Sequence, residues 1–423
     1  MTHPIAVVGG SLAGLAASAR LAKAGHHVVL FEASDSLGGR WAKPGALPPV
    51  LTFPAPWRDL FRKSGRAFDI ELARTGHALV PAPPATHIFA DGSELTLPSD
   101  RGQQWAVLAH AWGDSAAARW RDLLDDLDDR WQVLRRLGLE DEFTDAALTA
   151  RRTKQLGLHQ TVARLADRFG HPQAAAIIRS TAWRIGSDPA RTPAFVTVRL
   201  ALERTFGRWQ LTRDGAPVPA GELIDLLVAR LALRRVEVRT AEPVEQIAPG
   251  LVRTATGELR VAGTVSAVNA WQEARLTGTA QPRWIKPALA PLVSASLTAN
   301  PRLGTDFGAQ SGVGPTGFSE LVLHSTDGGR VEYQLPGQEG SVVHDFTAGS
   351  PDPGFGIAWR SPRTWLRHPP LRAATSTVFT AGPSSRGGGD PWAQLLSGAL
   401  ATYVVHEELT GADIRPTNKT LKA

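Results

Sequence analysis

Glycine residues near the N-terminus are arranged to bind a phosphate group. Gly9, Gly10 and Gly14 stand between a short apolar run and a small-residue helical pattern at 12–24. In such a strand–turn–helix unit the glycines allow a tight turn and close packing, and the helix N–H groups face a pyrophosphate. Ser11 replaces the second glycine of the usual motif, which reduces the room for the phosphates. The residues predicted to contact a dinucleotide here are Gly9, Gly10, Ser11, Leu12, Ala13 and Gly14.

An acidic residue and a second glycine pair indicate that this dinucleotide is FAD. Glu32 ends the second apolar run, where a carboxylate accepts hydrogen bonds from the adenosine ribose and disfavours a 2′-phosphate. Gly38, Gly39 and Arg40 follow. Nicotinamide-binding units do not need this loop, whereas FAD proteins of the glutathione-reductase type use it to bring backbone and an arginine to the cofactor. The predicted FAD site therefore includes Glu32, Ala33, Gly38, Gly39, Arg40 and Trp41.

The elements that must position these residues occur in three α/β pieces separated by two inserts. Between 103 and 206 the pattern is helical, and apolar residues spaced by three and four from Trp120 to Leu134 predict an amphipathic helix with an acidic outer face. Residues 276–369 have the texture of a mixed sheet. Apolar runs predict strands at 4–8, 27–31, 87–89, 94–97, 236–239, 242–247, 264–268, 291–298 and 376–381, and helices at 12–24, 222–233 and 392–409.

This organisation predicts an α/β fold: a glutathione-reductase-type Rossmann FAD-binding domain with an inserted mixed-sheet and helical substrate domain. The FAD-binding domain is expected to be discontinuous and to comprise residues 1–75, 207–275 and 370–423. Residues 76–206 and 276–369 are expected to form the substrate-binding domain.

Composition narrows the function classes. The chain contains no cysteine, which excludes disulfides, thiolate metal sites and a cysteinyl flavin, and its histidines show no metal-binding spacing. The net charge of +6 at pH 7 is interpreted as compositional, so no nucleic-acid partner is expected. Because no apolar run is long enough to span a bilayer and no signal peptide is recognised, a cytoplasmic location is expected. Peripheral association with the inner face of the membrane is considered in addition to it. The oligomeric state is left open.

Three separated blocks of sequence resemble the flavoprotein superfamily of phytoene desaturases and flavin amine oxidases. The first is VVGGSLAGLAASARLAKAGHHVVLFEASDSLGGR at 7–40, the second is GELIDLLVARLALRRVEVRTAEPVEQI at 221–247, and the third is VFTAGPSSRGGGDPWAQLLSGALA at 378–401. In these families the second block places a valine backbone on the adenine, and Val244 stands at the matching position.

The third block resembles the segment that passes the flavin and then starts a helix. Its helix N-terminus would face the flavin and stabilise negative charge on the reduced ring. Ser397, Gly398 and Ala399 are expected to let this helix lie close to FAD, and Arg386 is interpreted either as a phosphate ligand or as a solvent-facing residue. The resemblance adds Ala381, Gly382, Gly389, Pro391, Trp392 and Ala393 to the predicted FAD site.

The resemblance does not identify the substrate, but it allows amine substrates and hydrophobic substrates to be compared. Amine oxidases commonly carry a lysine near the flavin on a substrate-domain strand, but the corresponding segment 291–298 has none, and Lys286 precedes it. The Trp/Arg segment at 358–372 suits a membrane interface, a flavin-flanking loop or an ordinary surface turn. Trp183, Arg184 and Ile185 are candidates for a pocket wall, with a packed core aromatic as the alternative.

The implied function is therefore that of an FAD-dependent oxidoreductase. A desaturase or dehydrogenase that removes hydride from a hydrophobic, isoprenoid or carotenoid-like substrate is favoured. A flavin amine oxidase that forms an imine and hydrogen peroxide, and a non-catalytic lipid carrier on the same scaffold, are the alternatives. The sequence identifies no catalytic residue and no metal site.

Overall fold

The structure is a computed structural model that describes residues 3–278, 290–300, 318–326, 328–335, 341–372 and 377–416. Its strands are Ile5–Val8 (β1), Val28–Phe31 (β2), Val50–Leu51 (β3), His77–Pro81 (β4), Ala85–Ile88 (β5), Glu94–Leu97 (β6), Trp209–Arg213 (β7), Ala216–Pro217 (β8), Glu237–Arg239 (β9), Val244–Ala248 (β10), Leu251–Thr254 (β11), Gly257–Arg260 (β12), Gly263–Ser266 (β13), Pro291–Asn300 (β14), Ser319–Ser325 (β15), Gly328–Gln334 (β16), Ser341–Ile357 (β17) and Val378–Thr380 (β18). Its α-helices are Leu12–Lys23 (α1), Ala55–Ser64 (α2), Phe68–Arg74 (α3), Arg101–Trp112 (α4), Asp114–Leu134 (α5), Ala150–Leu156 (α6), Val162–Phe169 (α7), Pro172–Trp183 (α8), Val198–Phe206 (α9), Glu222–Leu233 (α10), Ala270–Leu276 (α11) and Pro391–Thr410 (α12).

A parallel sheet carries the N-terminal motif. Its strand order is β18-β13-β1-β2-β9, and every neighbouring pair in it is parallel. Ile5 of β1 lies opposite Gly263 of β13 and Val28 of β2. The inner strands are short and fully buried, because residues of α1 cover one face of the sheet and Val252 of β11 and Val261 pack on the other face. Since β13 and β18 come from distant segments, the sheet assembles all three α/β pieces and confirms the predicted fold class.

A mixed sheet forms the second layer of the molecule. Its order is β14-β17-β16-β15-β5-β6, and only the β15–β5 pair is parallel. The weak strands predicted at 87–89 and 94–97 are confirmed as the antiparallel pair β5 and β6. The strand predicted at 291–298 is confirmed as β14, which contains no lysine. Lys286 lies outside the described residues.

The amphipathic helix predicted from Trp120 to Leu134 is α5. Its buried stripe consists of the residues that the spacing predicts, and Trp120 and Leu127 are almost fully enclosed. The acidic outer face is retained, and Asp125 and Asp128 on it pair with Arg204 of α9. The helix is therefore held by an apolar stripe on one side and ion pairs at its edge.

Two pieces of β structure were not predicted from the sequence. The Thr256–Gly257 turn joins β11 to β12, so a hairpin strand at 257–260 stands before β13, which ends at Ser266. The sequence also shows no signal for the small sheet in which β7 pairs with β3 and β4. Short strands that pair across 128 or more positions leave little periodicity to detect. The domain boundaries themselves stay predictions.

Two helices pack closely against each other behind the parallel sheet. A Cβ atom on Gly398 of α12 would lie 2.5 Å from the backbone oxygen of Ala13 in α1. A side chain at that position would separate the two helices. Gly398 therefore serves helix packing, which corrects the expectation that it brings α12 close to FAD. No helix among the described residues is both long enough and apolar enough to cross a membrane.

Candidate functional site

The turn between β1 and α1 has the geometry that the glycine motif predicts. Gly9 has a φ of 104°, a backbone conformation that favours glycine. A Cβ on Gly14 would lie 2.0 Å from the Gly9 oxygen, so the first turn of α1 requires glycine there. The backbone N–H of Gly10 donates to Oε2 of Glu32 at 2.6 Å. The acidic residue and the glycine turn thus form one unit at the carboxyl end of the sheet.

Ser11 fits the motif because its side chain and its backbone are both held by neighbouring segments. Its Oγ donates to the backbone oxygen of Ala267, at the end of β13, at 2.8 Å. Its backbone bridges to Gly38 in the second glycine pair. The replacement of glycine therefore ties the turn to β13 as well as to the second loop.

The second glycine pair brings Arg40 over the sheet edge. Gly38 and Gly39 have φ values of 100° and 57°, and the Gly38 N–H donates to the Gly10 oxygen. The Arg40 guanidinium pairs with Asp352 of β17 at 2.6 Å and lies 4.1 Å from the centroid of the Phe355 ring. Burial lowers the pKa of Arg40, although Asp352 opposes the shift. Arg40 therefore links the motif loop to the mixed sheet.

A cavity of about 220 Å³, here called the motif cavity, opens beside these loops. It brings together residues from the first two sequence blocks and from the end of β13. The predicted FAD-site residues that line it are Gly9, Ser11, Glu32, Ala33, Gly38, Gly39, Arg40, Trp41 and Val244. Sequence reasoning missed Ala267, Val268, Asn269, Gln272, Pro383 and Gln394. Ala267 to Asn269 could have been found, because residues that follow parallel strands at a topological switch point line ligand crevices.

Other predicted FAD-site residues lie behind the motif cavity. Leu12, Ala13 and Gly14 are buried in α1, and Ala381 is fully buried after β18. Gly382, with a φ of 102°, packs against Ala267 and donates its N–H to Ser397. None of these residues is among those that line the two cavities, and their roles in cofactor binding stay predictions.

The start of α12 adjoins both this cavity and a second one. Pro391 stands at the first turn of α12, as predicted, and the preceding Asp390 pairs with Arg199 of α9. Gln394 lines the motif cavity, whereas Pro391 and Trp392 line the second cavity. The remaining residues of this segment, Gly389 and Ala393, pack against Phe355 and Gly387 respectively.

The second cavity, of about 200 Å³ and here called the aromatic cavity, meets the motif cavity at Arg40 and Trp41, which line both. It extends from α12 toward the mixed sheet and the helical insert. Apolar and aromatic side chains dominate its wall, including Phe53, Trp57, Trp120, Leu124, Ile177, Ile185, Leu297, Val331, Phe346, Phe355 and Trp392. Such a wall excludes water and suits a hydrophobic ligand.

One wall of the aromatic cavity is ionic. Oε1 of the buried Glu320 accepts from Arg184 at 2.8 Å, and its Oε2 accepts from Arg208 at 2.6 Å. Arg208 also donates to Glu203 at 2.9 Å. Burial alone would lower the pKa of both arginines, but the nearby carboxylates raise it, while the two arginines hold the pKa of Glu320 below its ordinary value. Arg184, Arg208 and Glu320 are therefore charged at neutral pH, and these three groups together with Glu203 are called the ionic wall below.

Histidines beside the ionic wall are neutral. Burial lowers the pKa of His344 to about 4, although its Nε2 lies 2.7 Å from the Gly45 oxygen. Burial likewise holds the pKa of His87 well below its ordinary value, and its Nδ1 lies 2.8 Å from Nε2 of His324. These rings therefore add hydrogen-bonding capacity to the cavity wall without adding charge.

The structure decides between the alternatives left open for three other segments. Trp359 and Trp365 are buried, so the tryptophans of 358–372 are not available to a membrane surface. Arg386 is neither a phosphate ligand nor solvent-facing, because it stacks on Phe143 at 3.7 Å and donates to the Trp365 oxygen. Arg184 and Ile185 line the aromatic cavity as predicted, whereas Trp183 is a packed core aromatic.

Unpartnered polar atoms test whether the two cavities fit FAD. Arg40 Nε and Trp41 Nε1 are buried donors without a partner, and Gln394 Oε1 is a buried acceptor without one. A buried polar group without a partner costs about 1–3 kcal/mol, so each is expected to meet a ligand or a water molecule. Arg40 and Trp41 line both cavities, and Gln394 of α12 lines the motif cavity. A cofactor with a polar ring edge and phosphates, such as FAD, fits this set of donors and acceptors.

Comparison with known proteins agrees with this site. Residues 7–70 match the family model of an NAD(P)-binding Rossmann-like domain. Over 220 residues the chain is 28% identical to a 4,4'-diapophytoene desaturase (4,4'-diaponeurosporene-forming) of Staphylococcus haemolyticus. This aligned region covers 48% of this chain and 42% of that protein. A similarly named protein of Staphylococcus aureus strain Newman is 24% identical over 218 residues, 48% of this chain and 42% of that protein. The matched region thus spans less than half of these relatives.

Solved structures extend the likeness to nearly the whole chain. Cyclohexylamine oxidase from Brevibacterium oxydans IH-35A matches with a TM-score of 0.59 at 15% identity, over 97% of this chain and 100% of that one. A putrescine oxidase bound to putrescine matches with a TM-score of 0.61 at 13% identity, over 97% and 100% of the two chains. At such low identity these matches concern the fold. The predicted resemblance is confirmed: the chain has the fold of these two oxidases and local sequence similarity to the 4,4'-diapophytoene desaturases.

Proposed function

We propose that this protein is an FAD-dependent oxidoreductase of the desaturase or dehydrogenase type, acting on a hydrophobic, isoprenoid-like substrate. The observation that carries the proposal is that Arg40 and Trp41 line both the motif cavity and the aromatic cavity, so that the two cavities adjoin each other. The first has the residues expected for a dinucleotide, and the second has an apolar wall suited to a hydrocarbon chain. The partial likeness to diapophytoene desaturases supports the same substrate class.

Residues of both cavities would hold the cofactor. Glu32 would accept from the adenosine ribose, Val244 would contact the adenine, and the N–H groups of the motif turn would face the pyrophosphate. Arg40 and Trp41 would donate to FAD from the boundary between the cavities, where both have an unpartnered N–H. When bound, FAD supplies the hydride acceptor.

The chain's own contribution to the reaction would be positioning and the exclusion of water. Leu124, Leu297 and Phe346, from three different elements, face the same aromatic cavity and would hold an apolar chain in one orientation. The N-terminus of α12, at Pro391, carries a positive dipole that stabilises nearby negative charge. The lysine-free β14 favours this proposal over amine oxidation, as the sequence predicts.

Reduction of the bound flavin under anaerobic conditions tests the proposal. Purified protein reconstituted with FAD would be mixed with isoprenoid hydrocarbons, among them 4,4'-diapophytoene in phosphatidylcholine liposomes, and with isoprenoid alcohols and aldehydes. We expect loss of flavin absorbance with at least one isoprenoid and a product with an added double bond or carbonyl. Cyclohexylamine and putrescine are the comparison compounds, and hydrogen peroxide is measured with them in air. Flavin reduction by the amines alone, or by none of the compounds although FAD is bound, would contradict the proposal.

A further inference from the structure

The ionic wall is balanced in charge. Arg184 and Arg208 contribute two guanidinium groups, and Glu203 and Glu320 contribute two carboxylates, all joined by hydrogen bonds of 2.6 to 2.9 Å. The side chains of Glu320 and Arg208 are each only 1% exposed. An additional ion placed against this wall would have no counter-charge of its own. Because burying an unpaired charge is costly, the wall favours a neutral group.

Other charged residues that line the aromatic cavity are also paired. Arg40 pairs with Asp352, Arg199 with Asp390, and Arg204 with Asp128 of α5. Among the described lining residues, therefore, every carboxylate and every guanidinium already has an ion-pair partner within the chain. None of them is unpaired and able to neutralise the ammonium group or the carboxylate of a ligand. This balance separates the cavity from one built for an amine or an acid.

The lining nevertheless offers hydrogen-bond donors. Four of its buried polar atoms have no partner within the described chain, and all four are N–H groups, namely Arg40 Nε, Trp41 Nε1, Arg199 Nε and Arg204 Nη1. Two of them lie on α9, away from the motif loops. Arg184, at the end of α8, also keeps 31% of its side-chain surface accessible while it lines the cavity. A wall with unpartnered donors favours a ligand that carries acceptor atoms.

We propose that the substrate is an apolar chain that carries a neutral oxygen, as a hydroxyl or carbonyl group, and that Arg184 binds this oxygen. The inference rests on the proposed function, because it places the substrate in the aromatic cavity. The apolar chain lies against the aromatic wall and the oxygen lies against the ionic wall. Glu203, which is 26% exposed, can accept a proton from a hydroxyl at the same place.

A matched series of fifteen-carbon isoprenoids tests the inference by binding alone. FAD-reconstituted protein would be titrated with farnesol, farnesal, farnesene, farnesoic acid and farnesylamine, and tryptophan fluorescence would report occupancy, since Trp41, Trp57, Trp120 and Trp392 line the cavity. We expect farnesol and farnesal to bind at least tenfold more tightly than the other three compounds. Equal or tighter binding of the hydrocarbon, the acid or the amine would overturn the inference.

Variants locate the contact. Arg184→Met is expected to weaken farnesol and farnesal binding by about tenfold or more, the effect of losing a hydrogen bond to a charged donor, and to leave farnesene binding unchanged. Arg179→Met is the matched control, because Arg179 lies on the same helix and pairs with Asp167 at the surface. Arg184→Gln takes the place of the methionine variant if that protein does not fold. An equal loss for farnesene and farnesol would show that Arg184 acts only through packing and would overturn its assignment.

The binding series also separates this inference from the proposed function. If farnesol and farnesal bind preferentially but no isoprenoid reduces the bound flavin, the inference on the ligand stands and the proposed reaction fails. If an isoprenoid reduces the flavin but the hydrocarbon binds best, the reaction stands and the inference fails.

Discussion

The ionic wall makes a strong prediction about stability. Glu320 is 2% exposed and is the carboxylate paired with Arg184 among the described residues, whereas Arg208 retains Glu203. Glu320→Gln would leave Arg184 without a counter-charge and would break the fully buried ion pair between Glu320 and Arg208. Breaking a buried ion pair on one side costs about 3–5 kcal/mol, whereas the same change in an exposed pair costs about 0–1 kcal/mol. Glu258→Gln is the matched control, because Glu258 pairs with Arg253 at 2.7 Å with both side chains about half exposed.

The size of the effect can be converted to a melting temperature. At roughly 2.1 cal/mol/K per residue, unfolding of 423 residues changes the entropy by about 0.9 kcal/mol/K. A loss of about 3–5 kcal/mol therefore lowers Tm by about 3–6 °C for Glu320→Gln, against about 1 °C or less for the control. Thermal unfolding followed by circular dichroism measures both values under the same buffer conditions.

The pH dependence checks the cause. The pKa of Glu320 lies below its ordinary value of 4.5 in the folded protein, so the carboxylate stabilises the fold above that value and loses this contribution as the pH falls through the folded pKa. The difference between the wild type and Glu320→Gln should thus be constant from about pH 6 to 8 and shrink below about pH 4.5. A Tm change no larger than that of Glu258→Gln, or a difference that grows in acid, would refute the reasoning.

Three further outcomes are expected. Glu32→Gln should weaken FAD binding about tenfold in a flavin-fluorescence titration, because the substitution removes the charge-assisted hydrogen bonds that the carboxylate accepts. The same change at the exposed Glu245 should leave FAD affinity unchanged. Equal FAD affinities of the Glu32→Gln variant and the wild type would contradict the role assigned to Glu32. Gly398→Val should lower the unfolding free energy by about 3 kcal/mol or prevent folding, since its Cβ would lie 2.5 Å from a backbone oxygen, whereas Gly221→Ala meets open space and should change the unfolding free energy by less than about 1 kcal/mol. Burial lowers the pKa of His368 to about 4, so the unfolded chain binds more protons than the folded chain between pH 6.5 and 4. The unfolding free energy should therefore fall by about 3 kcal/mol on acidification across that window. His368→Gln should reduce this fall, and a variant with the same pH dependence of stability as the wild type would contradict the assignment.

Local features of the site could be predicted from the sequence to a large extent. The turn at Gly9, the strand that precedes Glu32 and the left-handed backbone at Gly38 and Gly39 follow from residue types within forty positions of each other. Turn geometry and helix starts depend on neighbouring residues, so their patterns survive in a single sequence. The hairpin strand at 257–260 was missed because a short strand has little periodicity to detect.

Contacts between distant segments could not be predicted in this way. The expectation for Gly398 was wrong because the small residue faces α1, a helix nearly the whole chain away in sequence. The burial of Trp365 and Arg386 likewise depends on how the loops after β17 fold onto the insert. Amino-acid composition alone cannot tell an interfacial Trp/Arg segment from a packed one.

The sequence by itself therefore determined the dinucleotide-binding unit, the α/β class and the lysine-free β14, because each is encoded in residues close together along the chain. The tertiary structure decided where the aromatic cavity lies and which charges meet in it. Arg184 and Glu320 are 136 positions apart, and Arg208 and Glu320 are 112 apart. Their pairing depends on the packing of α8 and β7 against the mixed sheet, a long-range arrangement that no local pattern records.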